Sequence, residues 1–206
     1  MIPNPNITRF GLLRHAPTMW NEEKRIQGQQ DSPLTVEGEN HAKAWGQLLK
    51  LYPWDRILSS DLGRARNTAA IINTFLSIPV SYDYRLRERE WGRWTGMKLK
   101  QVRQEDPQLW AAQGKNGWKF CPPTGENHNA VLERSIQALR KAAQEWPNET
   151  ILVVTHEGVI KSLIYRLCEH EKMSTKSPVI RPNYLHWLIH DKGSLKIKEL
   201  NAISLY

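Results

Sequence analysis

An arginine and a histidine, Arg14 and His15, close the first apolar run of the chain, Phe10-Gly11-Leu12-Leu13, and turn chemistry follows in Ala16-Pro17-Thr18. In open α/β sheets ligands bind beyond the carboxyl ends of the strands. A guanidinium grips phosphoryl oxygens as a bidentate fork, and a neutral imidazole can act as a nucleophile. An Arg-His pair placed there suits an anionic group, phosphate above all. One such pair is weak evidence, because a histidine at a strand end is more often a hydrogen-bonded structural residue. A second run, Thr150-Ile151-Leu152-Val153-Val154-Thr155, ends in His156-Glu157-Gly158. Two strand ends that each deliver a histidine point to one site between them.

The elements that must position these residues alternate along the chain. A first strand covers residues 8–13, and a polar loop through Gly28, Asp31 and Pro33 follows. Thr35 reads as an N-cap, with Glu37 and Glu39 in the first turn of a helix running to about residue 51. A short strand at 55–59 leads into a helix at 61–76. There Leu62, Ala65, Ala69, Ile72 and Leu76 recur at spacings of three and four and form a core face. Residues 79–84 read as the next strand. Residues 85–124 are the least regular, punctuated by Gly92, Gly96, Pro107, Gly114, Gly117, Pro122 and Pro123, with Trp91, Trp94, Trp110 and Trp118 among them. They are expected to form a partly helical, cap-like excursion over the carboxyl end of the sheet, and such insertions usually carry function. A long helix from about residue 126 stops before Pro147, and another spans 158–168 after the second histidine. Strands at 184–190 and 195–200, joined through Asp191-Lys192-Gly193-Ser194, suit a hairpin. The order implies a mainly parallel sheet between helices, with an antiparallel strand near its end.

Its 206 residues fit one domain, 1–206, that carries the excursion as a small cap. Cys121 and Cys168 lack CxxC partners, so free thiols in a reducing cytoplasm are the simplest reading. Residues 1–6 hold no basic region followed by an apolar stretch, and no signal peptide is expected. No apolar segment approaches the roughly 20 residues of a membrane span. A soluble, cytoplasmic protein without a membrane partner is expected. The formal net charge of +8 invites a nucleic-acid reading, but Lys and Arg are dispersed, without a block or a nucleic-acid motif. Nucleic acid is therefore not an expected partner, and small anionic substrates explain the bias better. His41, His128, His170, His186 and His190 are expected on surfaces or in ordinary hydrogen bonds, and no pair of them has metal-ligand spacing. Oligomeric state stays open, a homodimer included.

Read together, Leu13-Arg14-His15-Ala16-Pro17-Thr18-Met19-Trp20-Asn21, Arg25-Ile26-Gln27-Gly28 and Asp31-Ser32-Pro33-Leu34-Thr35 with Gly38 resemble the opening signature of the histidine phosphatase superfamily. These are the cofactor-dependent phosphoglycerate mutase-like proteins. Ser59-Ser60-Asp61-Leu62-Gly63-Arg64-Ala65-Arg66-Asn67-Thr68-Ala69 resembles the family's second arginine motif. Leu86-Arg87-Glu88, with Trp91-Gly92 and Trp94-Thr95-Gly96 behind it, resembles the acidic loop. Thr155-His156-Glu157-Gly158-Val159-Ile160 resembles the second histidine motif. The motifs follow the family's order over nearly the whole chain.

The resemblance implies a phosphoglycerate mutase-like fold, a three-layer α/β/α sandwich whose mainly parallel sheet includes an antiparallel strand. It implies His15 as the nucleophile that becomes a phosphohistidine. Arg14, Arg64 and His156 would surround the phosphoryl oxygens, with neither metal nor cofactor required. Glu88 would protonate the departing alcohol oxygen and then deprotonate the attacking water. Asn21, Gln27 and Gly28 would add polar contacts to phosphate or substrate. Glu90, one residue beyond Arg89, competes with Glu88, and the motif match favours Glu88.

Two positions depart from the family pattern. Ala16 stands where glycine usually follows the nucleophile, and Glu157 stands where glycine is commonest after the second histidine. A carboxylate facing phosphate would repel it, so Glu157 is expected to point away or to pair with a basic neighbour. The interval from Glu88 to His156 is compact, whereas family mutases acting on phosphoglycerate are usually longer there and carry extra basic residues. Cys121-Pro122-Pro123-Thr124-Gly125-Glu126-Asn127 is close to a Pro-Gly-Gly-Glu-Ser element common in the phosphatase branch. The resemblance thus favours a metal-independent phosphatase of a small phosphorylated substrate, with ribazole phosphate, sugar phosphates and phosphoglycerates as candidates. A mutase and a non-catalytic phosphate-binding or interaction member are the alternatives.

Overall fold

A computed structural model describes residues 7–170 and 178–205, except for the side chains of 113–116, 169 and 170. Residues 1–6 and the His170 side chain, on which expectations were placed, lie outside the described part. The chain begins with β1 (Thr8–Arg14), the single helical turn α1 (Met19–Glu22) and α2 (Val36–Leu49). Next come β2 (Arg56–Ser59), α3 (Gly63–Leu76) and β3 (Val80–Tyr82). The excursion holds α4 (Leu99–Glu105), α5 (Pro107–Asn116) and short 3₁₀ turns at Tyr84–Leu86, Gly92–Trp94 and Gly117–Lys119. The remainder is α6 (His128–Glu145), β4 (Thr150–Thr155), α7 (Glu157–His170), β5 (Tyr184–Asp191) and β6 (Ser194–Ser204).

Alternation within the strands builds the layers. Phe10, Leu12, Ile151 and Val153 enter one core, while Leu13, Leu152 and Val154 enter another. Successive strand side chains face opposite ways, so a sheet apolar on both faces needs helices on both. Val131 and Leu139 of α6 with Leu163 and Ile164 of α7 cover the first face. Trp45 and Leu49 of α2 with Ala65, Ala69 and Ile72 of α3 cover the second. The expected three-layer α/β/α sandwich is the observed fold. Thr35 caps α2 as expected, its hydroxyl accepting the Gly38 N–H at 2.9 Å.

The sheet has the order β3-β2-β4-β1-β5-β6. β1, β2, β3 and β4 are parallel, β5 is antiparallel to β1, and β6 turns back against β5. The reversed strand is thus β5, one place in from the edge. β6 runs past the expected end at residue 200, because Tyr184 and Leu185 pair with Ser204 and Ile203 beyond a register shift at Trp187. α3 starts later than expected, since Leu62 takes the extended N-cap conformation and its N–H is accepted by the Ser60 hydroxyl.

Register places the site. Arg14 lies opposite Thr155, and Ser59 lies opposite Val154. The residues that follow these strand ends, His15, Ser60 and His156, therefore emerge together. Over them sits the excursion, with a small core of its own formed by Trp94, Val102 and Phe120 around Ile26 from the N-terminal loop. Backbone bonds from Ile26 to Met97 at 2.9 Å and from Gly96 to Ile26 at 2.7 Å tie the two segments together. Among the described residues no helix is long and apolar enough to cross a membrane.

Candidate active site

His15 is buried where β1 ends, its backbone N–H bonded to Thr155 at 2.9 Å. Its Nδ1 lies 2.8 Å from the carbonyl oxygen of Ala16. A carbonyl only accepts, so Nδ1 carries the proton and Nε2 presents a lone pair. The Arg64 Nε–H lies 3.3 Å from that Nε2. Burial first, then the charges of Arg14 and Arg64, hold the His15 pKa well below the usual imidazole range. The imidazole is neutral, as a nucleophile requires. Ala16 causes no intrusion, because its methyl belongs to the core beneath α2 and α3 and its N–H reaches the Thr68 hydroxyl at 3.0 Å.

The His156 ring centre lies 5.2 Å from that of His15. Its Nε2 is 2.8 Å from the Ser60 hydroxyl, while its Nδ1 is buried without a hydrogen-bond partner among the described residues. Burial, with Arg64, His15 and Arg14 adding to it, also holds this imidazole neutral. Ser60 was not singled out from sequence. Its signals are its place directly after a strand and within the second arginine motif.

Arg64 rises from the first turn of α3 and is 1% exposed. A buried guanidinium is costly unless its donors are used. Here Nη2 bonds the Gly28 carbonyl at 2.8 Å, and Nη1 bonds the Gln30 carbonyl at 2.7 Å and Asp31 at 3.1 Å. The Asp31 carboxylate also accepts the Gly63 N–H at 2.6 Å at the start of the helix, where negative charge is favoured. Gly28 thus positions Arg64, with a left-handed φ of 54° in a turn where a Cβ would sit 2.8 Å from the Thr95 hydroxyl. Gln27 is buried against the cavity, with Oε1 unpartnered among the described residues. Asn21 lines the cavity too, but its oxygen accepts both the Thr18 N–H and the Thr18 hydroxyl, which fixes α1.

Glu88 and Glu90 go to different places. Glu88 lines the cavity, accepting the Arg89 N–H at 2.6 Å and the Gly158 N–H at 3.2 Å. A Cβ on Gly158 would come within 2.2 Å of the Glu88 carboxylate, so this approach depends on glycine. Glu90 instead accepts the Gly92 N–H at 3.0 Å and the Thr95 hydroxyl at 3.3 Å, stapling the excursion. Arg134, on α6, holds the acidic loop through the carbonyls of Arg85, Arg87 and Glu88 at 2.7, 2.6 and 3.0 Å. In sequence it reads as one more arginine on a helix surface.

With His156 buried behind His15, the residues Arg14, His15, Gln27, Gly28, Arg64 and Glu88 line a cavity of about 800 Å³. Trp20, Trp91 and Trp118 form part of its wall, and Lys24, Arg25 and Lys161 add positive charge. His128, expected on a surface or in ordinary hydrogen bonds, is hydrogen-bonded, with Nη1 of Arg89 at 2.7 Å from its Nε2, and it also lines the cavity. Burial, followed by Arg89 and Lys161, pushes the His128 pKa down to about 4. Glu157 pairs with basic neighbours, as expected, and these are Arg14 at 2.7 Å and Lys161. Among the described residues no group of three or more His, Cys, Asp or Glu is placed to hold a metal ion.

The family model of the histidine phosphatase superfamily (branch 1) matches residues 10–203. The uncharacterized phosphatase PhoE of Bacillus subtilis (strain 168) is 33% identical over 158 residues, 77% of this chain and 76% of PhoE. The probable phosphoglycerate mutase GpmB of Salmonella typhi is 36% identical over 154 residues, 74% of this chain and 71% of GpmB. The solved structure of Bacillus stearothermophilus YhfR superposes with a TM-score of 0.84 at 31% identity, covering 96% of this chain and 98% of that one.

Proposed function

Because this chain belongs to branch 1 of the histidine phosphatase superfamily, we propose that it hydrolyses a small phosphomonoester through a phosphohistidine on His15, without a metal. The observation that carries the reading is the neutral, buried His15, whose Nδ1 proton is engaged by Ala16 and whose Nε2 stands beside Arg64. The Nε2 lone pair attacks phosphorus, and the bond from phosphorus to the alcohol oxygen breaks. Glu88 gives that oxygen a proton. Water then attacks the phosphohistidine as Glu88 takes a proton back, and inorganic phosphate leaves with His15 neutral again.

Arg14, Arg64 and His156 stabilise the charge on the equatorial oxygens. The Ser60 hydroxyl accepts the Leu62 N–H and can donate to His156 Nε2. That tautomer leaves the proton on Nδ1, the unpartnered nitrogen, which becomes a donor to a phosphoryl oxygen. Positive charge is thus supplied by side chains where other phosphatases use a metal.

Brief incubation with substrate and an alkaline quench should trap an acid-labile phosphate on His15. His15→Ala should lose it, along with turnover by about a thousandfold or more. Near-normal activity in that variant sinks the assignment. Activity should survive EDTA, and loss restored by one divalent ion would point to another mechanism. The likeness to GpmB supports a mutase as second reading, since both reactions share the phosphohistidine. An assay primed with bisphosphoglycerate, run beside one with an aryl phosphate, separates the two.

A further inference from the structure

Glu157 follows His156 directly and opens α7, yet its carboxylate reaches back to the strand that carries the nucleophile. One oxygen lies 2.7 Å from Nη1 of Arg14, and the other is held by Lys161, one helical turn on. All three side chains line the cavity. Among the described residues Glu157 is the only hydrogen-bonding or ionic partner of the Arg14 side chain. Burial would raise the Glu157 pKa, but Arg14 and Lys161 outweigh it and hold the carboxyl below its usual range. A negative charge therefore sits on the guanidinium that a phosphoryl group would use.

We propose that Glu157 sets the oxyanion affinity of the site by competing with the phosphoryl group for Arg14. The inference rests on the phosphatase reading, in which Arg14 grips phosphoryl oxygens. Both side chains of the ion pair are part-exposed, 33% and 41%, and such pairs are weak enough to be exchanged for a bidentate phosphate contact. Each exchange gives up the Arg14–Glu157 contact and leaves the carboxylate facing a dianion, with Lys161 as its remaining counter-ion. Substrate and product phosphate are both held less tightly as a result. A weakly held product suits an enzyme that releases phosphate rather than retaining it.

Calorimetric titration with inorganic phosphate tests this in wild type, Glu157→Gln, Arg14→Gln and the double variant. Glu157→Gln should bind phosphate about two- to fivefold more tightly, the range that part-exposed ion pairs span. KM for an aryl phosphate should fall with it. Glu157→Gly should tighten binding in the same sense, which keeps the test available if the glutamine variant folds poorly. In the Arg14→Gln background the gain should vanish. Unchanged or weaker binding in both Glu157 variants would show an anchoring role and overturn the proposal. A gain that persists without Arg14 would show repulsion through space and overturn it equally. Wild-type protein that neither binds phosphate nor forms a phosphohistidine breaks the phosphatase reading itself. Binding that is merely indifferent to Glu157 breaks only the competition.

Discussion

Arg64 and Arg14 face the same histidine from two differently built regions. On the floor of the site, Arg64 is buried and places four of its five N–H donors on Gly28, Gln30, Asp31 and His15. Its position is set by peptide carbonyls, which cannot turn away without dismantling the loop from Gln27 to Asp31. At the rim, Arg14 is part-exposed and tethered by one carboxylate that is itself shared with Lys161. The floor is preorganised because unsatisfied buried groups are expensive. The rim is adjustable because exposed ion pairs are cheap to rearrange. Chemistry common to the family can reside on such a floor while affinity is tuned at the rim.

Substitution of the two arginines should break this comparison if it is wrong. Both Arg64→Ala and Arg14→Ala should slow turnover by about a hundredfold or more, since each removes charge facing the transition state. Their stabilities should part. Arg64→Ala should cost about 3 kcal/mol in urea unfolding, as buried carbonyls and Asp31 lose their donor. Arg14→Ala should cost under about 1 kcal/mol. Equal losses of stability would remove the distinction between floor and rim.

The acidic loop sharpens it. Glu88→Gln should slow an alkyl phosphate by about a hundredfold or more, because an alkoxide leaves poorly without a proton. A nitrophenyl phosphate, whose leaving group is stable unprotonated, should lose less. Glu90→Gln should show no such dependence on the leaving group, and the reverse pattern would transfer the acid to Glu90. Gly158→Ala should reproduce the Glu88→Gln pattern in weaker form, since its Cβ would displace the carboxylate without removing it.

A further effect concerns acid. His128 in the cavity wall and His186 in β5 are both pushed down to about 4, by burial first. Their folded pKa values lie below the unfolded value of about 6.5, so the unfolded chain binds more protons. The stability that these two histidines contribute should therefore fall as pH drops from about 6.5 towards 4. Urea midpoints measured across that window should show the slope, and His186→Asn should flatten part of it. A slope unchanged in that variant would assign the effect to other groups.

The sequence by itself determined which strand ends meet. Arg14-His15 and His156 terminate apolar runs, and neighbouring parallel strands with their ends in register must bring such residues together. The three-layer fold was legible for a similar reason, since apolar periodicity is local and each strand displays it. Functions assigned to Asn21 and Gly28 were only half legible. Both line the cavity, yet Asn21 commits its oxygen to Thr18 and Gly28 offers its carbonyl to Arg64. Ser60, Arg134 and His128 carried little signal, because what distinguishes them is a partner far away in the chain. The motif match favoured Glu88 over Glu90, and tertiary structure supplied the reason that Glu88 faces the cavity, the N–H of Gly158 on a helix from the other end of the chain. Tertiary structure alone chose Arg14 as a partner of Glu157, because a carboxylate binds whichever cation packing brings within reach, and packing across the sheet is not written in local spacing.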